Sequence, residues 1–127
     1  MTFGFDPDIG LVIVQAELWG PDGSAVLRLA LDTGAMTTLI NASPLALVGY
    51  DPALSSERVQ LTTGSGVEVA PLVRAQRITA LGQQRDDHLI LCHTLPPSAN
   101  VDGLLGLDFF RGQSLQIDFR AGEISLG

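Results

Sequence analysis

The chain has a single cysteine, Cys92, in 127 residues. It therefore cannot form an internal disulfide, and small folds held together by several disulfides are excluded. No apolar run approaches the roughly 20 residues that a membrane-spanning helix needs, and the opening residues "MTFGFDPDIG" lack the pattern of a secretory signal peptide. These absences favour a reducing compartment, the cytoplasm, and no membrane association within this segment.

Basic residues are scarce. Seven Lys and Arg stand against 14 Asp and Glu, which gives a formal net charge of −7 and a pI of about 4.4. A surface this acidic repels phosphate backbones, and no cluster of basic residues offsets it. Nucleic acid is therefore not an expected partner.

The remaining composition is that of a packed globular protein. Hydrophobic residues make up 46% of the chain and charged residues 17%, which is unlike a disordered segment. The length suits one ordinary domain with a real core. We therefore expect residues 1–127 to form a single domain.

Glycine and proline divide the chain into short runs rich in Val, Ile, Leu and Thr, a pattern typical of a mainly β protein. Residues 11–20 and 24–32 flank the turn "GPDG" and predict a hairpin. Residues 59–72 predict a second hairpin around the glycine-rich tip "TTGSG". Further strands are predicted at 37–40, in "LVRAQRITAL" and "RDDHLILCHTL" on either side of "GQQ", and in a closing hairpin of "SLQIDF" and "EISL".

Two short helices are also predicted. Ser43 suits an N-cap, Pro44 the first helical position and Gly49 a stop, which indicates one or two turns near 44–48. The segment "VDGLLGLDFFRG" begins as a strand and then shows helical spacing near 107–111.

Two further segments belong together. The first, "LALDTGA", sets Asp32 between aliphatic runs, and the second is "GLLGLDFF", whose Gly106 lies 74 residues after Asp32. With "TTGSG" between them, they resemble the retropepsin-like aspartic proteases, which combine an Asp-Thr/Ser-Gly loop, a glycine-tipped flap and a hydrophobic-hydrophobic-Gly segment. The resemblance spans residues 11–126 and implies an all-β, closed or nearly closed barrel.

The resemblance also implies roles for individual residues. Asp32, Thr33 and Gly34 would form the catalytic loop, and Thr63, Gly64, Ser65 and Gly66 a flap that closes over substrate. An extended peptide would bind as an added strand, its apolar side chains in pockets. The pocket candidates are Leu31, Ala35, Ile40, Val101 and Leu104. Leu104, Leu105, Gly106 and Asp108 would support the catalytic loop from below.

A catalytic dyad needs two such acids, and the chain has one Asp-Thr-Gly. Asp102 is the nearest imitation, but it lacks the hydroxyl neighbour and lies in the support segment. The resemblance therefore implies a homodimer with one Asp32 from each subunit. The expected activity is endopeptidase cleavage of an extended peptide or protein by a water that the dyad activates.

The match departs from the viral members of the family. These often carry acids after Asp-Thr-Gly-Ala and an arginine after the later glycine, where this chain has Met36, Thr37 and Leu107. It therefore looks closer to the cellular and bacterial members. Two rivals remain: a non-catalytic module that kept the fold for dimerisation or peptide binding, and a small structural barrel that would be monomeric.

His88, Cys92 and His93 raise the alternatives of a metal site or a thiol protease. On a strand this spacing scatters the three side chains over both faces, so the adjacent Cys92 and His93 cannot act as a nucleophile–base couple. No partner pair of ligands lies elsewhere in the sequence. We therefore expect no metal and no cofactor, with Cys92 as a small buried apolar residue.

Overall fold

The computed structural model describes the backbone of residues 1–127 and every side chain except that of Thr63. Ten strands and two α-helices follow one another along the chain, with short 3-10 helices at Pro52–Leu54 and Pro97–Ala99. The strands are β1 (Thr2–Gly4), β2 (Ile13–Gly20), β3 (Gly23–Leu31), β4 (Leu39–Ile40), β5 (Arg58–Thr63), β6 (Gly66–Ala80), β7 (Gln83–Cys92), β8 (Gly103–Leu105), β9 (Leu115–Asp118) and β10 (Glu123–Leu126); the helices are α1 (Ala42–Leu47) and α2 (Leu107–Phe110).

Seven strands form one sheet in the order β2-β3-β8-β4-β7-β6-β5. An additional antiparallel pairing of β2 with β6 joins the sheet to itself, so that six strands make a closed barrel and β5 extends beyond it. The β3–β8 and β4–β7 pairs are parallel and the others antiparallel. The predicted all-β closed barrel is confirmed.

Strand β8 lies between β3 and β4. It runs parallel to β3, with Leu31 opposite Leu105, and antiparallel to β4, with Ile40 opposite Gly103. Strands β3 and β4 are consecutive in the chain, so the loop that joins them must cross the end of β8, a span of about 10 Å at ordinary strand spacing. This crossing places residues 32–38 directly over the start of α2.

The second hairpin is longer than the sequence indicates. Strand β6 is a continuous 15-residue strand, whereas the pattern predicts two strands that meet near Leu72. Its first half pairs with β5 and its second half with β2 and β7. The next turn lies at Leu81 and Gly82, both with positive φ. It therefore shares only Gly82 with the predicted turn "GQQ", and Gln83 and Gln84 belong to β7.

Helix α1 begins earlier than predicted. Its N-cap is Asn41 rather than Ser43, and the Asn41 side chain makes no cap hydrogen bond. Instead it accepts from the Leu95 N–H (3.0 Å) and donates to the Val101 carbonyl (3.2 Å), which ties the helix start to two loops. Gly49, with φ of 98°, ends the helix as predicted.

The two ends of the chain share a separate sheet of order β1-β10-β9. Thr2 pairs with Ser125 and Gly4 with Glu123. Ile124 and Leu126 of β10 are buried in the main core, together with residues from the barrel strands. In the part of the chain that the structure describes, no helix combines the length and apolar character needed to cross a bilayer.

Candidate active site

Asp32 directly follows the last residue of β3. Its N–H donates to the Leu105 carbonyl of β8 (3.0 Å), which extends the β3–β8 ladder by one bond and fixes where the acid emerges. Its Oδ1 accepts from the Gly34 N–H (2.8 Å), and its carbonyl accepts from the Ala35 N–H (3.2 Å). The carboxylate is therefore held at the start of a tight turn and is half-buried in one copy of the chain.

The same turn rests on the start of α2. The Leu107 N–H donates to the Ala35 carbonyl (2.8 Å), and the Asp108 N–H donates to the Met36 carbonyl (3.3 Å). A Cβ at Gly106 would lie 2.8 Å from the Ala35 carbonyl oxygen, so the approach is close enough to require glycine. Residues 105–108 thus form the floor of the loop 32–38.

Thr38 fixes the far end of this loop. It is fully buried, and Asp108 Oδ1 accepts both its N–H (2.9 Å) and its hydroxyl (2.8 Å). The Thr38 Oγ1 in turn accepts from the Gly106 N–H (3.1 Å). A single threonine, directly before β4, therefore links the end of the loop to the α2 start at two residues, Gly106 and Asp108.

The ionised form of Asp108 fits this arrangement, because Oδ1 accepts from Thr38 while Oδ2 is free of a proton and can accept from His88. Burial raises the pKa of Asp108, but hydrogen bonds from His88 and from the Thr38 amide and hydroxyl outweigh it, so the pKa lies below its ordinary value. The charged form therefore contributes stability at pH values above the ordinary carboxyl pKa, about 4. That contribution is lost as the pH falls through the lowered folded-state pKa.

Replacing Thr38 with valine tests this link. Valine has a similar volume, but the substitution leaves the Gly106 N–H without its acceptor and removes one donor to Asp108. We expect the free energy of unfolding to fall by about 1–3 kcal/mol in urea titrations. Thr62→Val, at an exposed position of β5, is the matched control and should change stability little. Equal effects of the two substitutions would show that the Thr38 hydroxyl contributes nothing.

A cleft of about 490 Å³ lies beside the loop. Residues 34–37 form one wall and residues 59–62 of β5 the other. Its lining is largely apolar, with Ala35, Met36, Leu39, Leu61 and Leu91 among the contributors. The predicted pocket residue Ala35 thus borders this cleft.

The other predicted pocket residues occupy different places. Ile40 is fully buried in the main core, against which Leu31 packs from a partly buried position. Leu104 packs on a smaller cluster of Leu39, Ala70 and Leu91. Val101 lines a separate depression with Arg28 and Asn41. In one copy of the chain, none of these four side chains borders the cleft.

The predicted hairpin tip is observed as a two-residue turn. Thr63 pairs with Gly66, and Gly64 and Ser65 are exposed between them. Gly66 has a φ of 134°, which glycine adopts readily. The Thr63 side chain lies outside the described residues.

Thr33, Gly34 and Met36 form an exposed edge of the loop. Met36 is 78% exposed, which is a large apolar surface for a residue so close to an ordered turn. Among the described residues, the Thr33 hydroxyl has no hydrogen-bond partner. The loop therefore presents a hydroxyl and an apolar side chain outward, next to Asp32.

Asp102 is not near this edge. Its Oδ2 accepts from the Arg28 N–H (2.8 Å), and its backbone bonds to Arg28 and Asn41. It therefore serves the other end of β8 rather than the end that carries Asp32.

The three residues considered for a metal or thiol site do not act together. Cys92 is buried, and burial raises the pKa of its thiol, which opposes formation of a nucleophilic thiolate. His93 lies 3.9 Å from Glu68 of β6. His88 instead places its Nε2 2.8 Å from Asp108 Oδ2.

The sequence did not predict the role of Thr38 or the contact between His88 and Asp108. Thr38 follows another threonine, Thr37. Adjacent residues on a strand point to opposite faces, but the sequence does not indicate which of the two faces Asp108. His88 lies 20 positions from Asp108, and no local pattern signals contact over that separation. Both residues become evident from the packing of β4 and β7 against α2.

Two comparisons with known proteins bear on the family and on the fold. A sequence model of the family described as "gag-polyprotein putative aspartyl protease" matches residues 22–112. The structure is similar to the crystal structure of a retropepsin-like aspartic protease from Rickettsia conorii, with a TM-score of 0.73 and 15% sequence identity, over 99% of this chain and 88% of that chain. At this identity the second likeness concerns the fold alone. No curated protein shows significant sequence similarity to the chain.

Proposed function

Because this chain belongs to the gag-polyprotein aspartyl protease family and is an aspartic endopeptidase, we propose that it works as a homodimer with Asp32 of each subunit at a shared centre. The observation that carries the proposal is the outward edge of the loop, where Asp32 stands beside the exposed Met36 and the Thr33 hydroxyl, which has no partner among the described residues. A second copy would cover this apolar edge and supply the second acid and a partner for Thr33.

In this proposal the two Asp32 carboxyls share one proton, since like charges so close together cannot both ionise easily. The ionised carboxylate takes a proton from a water molecule, whose oxygen forms a bond to the carbonyl carbon of the substrate. The protonated carboxyl gives its proton to the carbonyl oxygen. The dyad then gives its remaining proton to the amide nitrogen. As the C–N bond breaks and the amine leaves, one hydroxyl of the tetrahedral intermediate returns its proton to the dyad, which again holds a single proton, and the other product is a carboxylic acid.

The cleft supplies the substrate part of the proposal. Its wall on β5 belongs to the glycine-tipped hairpin, which acts as a flap whose backbone amides reach an extended peptide. Its apolar lining, including Leu61 and Leu91, favours apolar side chains near the cleaved bond. The substrate class is therefore an extended peptide or unfolded protein segment.

We also propose that residues 1–127 act as one protease domain. The pairing of β1 with β10 joins the two ends of the chain, and β10 buries Ile124 in the core of the barrel. The catalytic loop and the glycine-tipped hairpin therefore belong to the same domain.

Dilution tests the proposed dimer. We expect cleavage of denatured casein per mole of chain to fall steeply as the protein is diluted through its dimer dissociation constant, while a statine-like inhibitor abolishes cleavage at high concentration. Sedimentation velocity over the same range measures the oligomer. Constant specific activity from a monomer would contradict the shared centre, and a dimer that neither cleaves nor binds the inhibitor would favour a non-catalytic module.

A further inference from the structure

The contact between His88 and Asp108 lies outside the proposed dyad but reaches the loop that carries it. His88 on β7 is 15% exposed and Asp108 on α2 is 22% exposed, with 2.8 Å between His88 Nε2 and Asp108 Oδ2. The opposite oxygen of the same carboxylate holds Thr38. A chain of hydrogen bonds therefore runs from β7 through α2 to the end of the loop 32–38.

We propose that His88 is a positioning residue for catalysis, holding the Asp108 carboxylate so that it fixes the loop that carries Asp32. This inference rests on the proposed function, because it assigns the effect of His88 to peptide hydrolysis. His88 touches neither the cleft nor Asp32 and acts through Asp108 alone.

The geometry of the Asp108 carboxylate explains why a hydrogen bond to only one of its oxygens cannot fix its orientation. The terminal torsion of an aspartate is broad, so a hydrogen bond to one oxygen leaves the plane of the group free to turn. With Thr38 on Oδ1 and His88 on Oδ2, the plane is held from both sides. Without His88, the partly buried Oδ2 loses its partner and the carboxylate can turn away from Thr38.

The surroundings of the pair contain few competing charges. Thr38, directly before β4, and Ala75 of β6, which pairs with His88 in the sheet, are uncharged. Phe109 of α2 packs edge-on to the His88 ring, with 6.5 Å between centroids. Among the described residues, the other charged side chains of β6 and β7 in this region engage one another or α2: Arg74 with Asp87, Arg77 with Asp86, and Arg85 with the Phe109 carbonyl.

This arrangement predicts how acid affects the loop. The hydrogen bond from His88 is the largest of the contributions that lower the pKa of Asp108, and burial opposes it. If His88 can no longer reach Asp108, the pKa of Asp108 rises and the carboxylate takes a proton at a higher pH. The loop is then released at a pH where the wild-type protein still holds it.

Two substitutions of similar polarity distinguish the loss of the hydrogen bond to Asp108 from the mere loss of the histidine ring. His88→Gln keeps an N–H donor at nearly the distance of Nε2, whereas the shorter His88→Asn stops short of Asp108. His93→Asn is the control, because His93 directly follows β7 and lies outside this network. With denatured casein as substrate, we expect His88→Asn to lower kcat at least about tenfold near neutral pH and to move the acid limb of activity to higher pH. KM should change little.

The Gln variant should retain most of the wild-type kcat, and the His93 control should resemble the wild type throughout. Equal kcat values and equal acid limbs for His88→Asn and His88→Gln would overturn the inference. The inference would also be overturned if both His88 variants lost activity only in proportion to their loss of thermal stability.

A second measurement does not depend on hydrolysis. In an Asp32→Asn background, hydrogen exchange of the Thr38 and Gly106 amides should be faster with His88→Asn than with His88→Gln. If even the wild type fails to cleave casein, the proposed function fails, and this exchange comparison still decides whether His88 holds the loop. Identical exchange in the two variants would overturn the inference on its own.

Discussion

Asp32→Asn is expected to reduce peptide cleavage by about 10³-fold or more, because the amide cannot take a proton from the attacking water. The asparagine Oδ1 can still accept from the Gly34 N–H, which now donates to Asp32 Oδ1 over 2.8 Å. The loop should therefore keep its shape, and the thermal unfolding midpoint and the dimer should be preserved. Initial rates on denatured casein, with sedimentation velocity of the same samples, measure both parts.

The control for this experiment is Asp102→Asn. Of the other acids in the chain, Asp102 is the one whose neighbouring sequence most resembles an Asp-Thr-Gly segment. Its contact with the Arg28 N–H can be kept by an asparagine oxygen, and we expect activity near that of the wild type. Excess Asp32→Asn protein should also inhibit the wild type by forming mixed dimers with one acid. Retained turnover in Asp32→Asn, or no inhibition when subunits exchange, would contradict the shared dyad.

Gly106→Ala is expected to have the second largest effect, because the new Cβ has no room. It would lie 2.8 Å from the Ala35 carbonyl oxygen and 2.9 Å from the Thr37 carbonyl carbon. These are backbone atoms of the loop and cannot rotate aside, so either the loop or the α2 start must move. We expect a loss of about 3 kcal/mol in the free energy of unfolding, a fall of roughly 10 °C in Tm, and about 10²-fold lower activity.

Gly10→Ala provides the control, because a Cβ at Gly10 would meet no atom within 4 Å. It should leave both stability and cleavage close to those of the wild type. Thermal unfolding and casein cleavage on the three proteins distinguish the cases. A Gly106→Ala protein with unchanged Tm and activity would mean that the loop does not rest on this segment as the structure indicates.

Local patterns predicted most of the fold because each hairpin carries its own signal. The alternation on either side of "GPDG" specifies β2 and β3, and Gly49 ends α1 by adopting a positive φ. The errors arose where tertiary pairing overrode local cues. The pattern predicts two strands that meet near Leu72, yet β6 continues through this point because β5 pairs with its first half and β7 with its second.

The start of α1 shows the same effect. Ser43 and Pro44 have the local features of a helix start, but the helix begins at Ala42. Asn41 is held there by two loops, through the Leu95 N–H and the Val101 carbonyl. These contacts join residues more than 50 positions apart, so they could not be read from the sequence around the helix.

By itself, the sequence determined the mainly β class of fold and the identity of the one Asp-Thr-Gly segment, because these depend on residue types and short spacings. The resemblance to the retropepsin-like proteases added the supporting glycine segment. Only the tertiary structure decided that β8 lies between β3 and β4, that Thr38 and His88 meet on the two oxygens of Asp108, and that the cleft runs between residues 34–37 and β5. The physical reason is that these contacts depend on strand order and register. Both are set by how the whole barrel closes over its core, and no local segment contains that information.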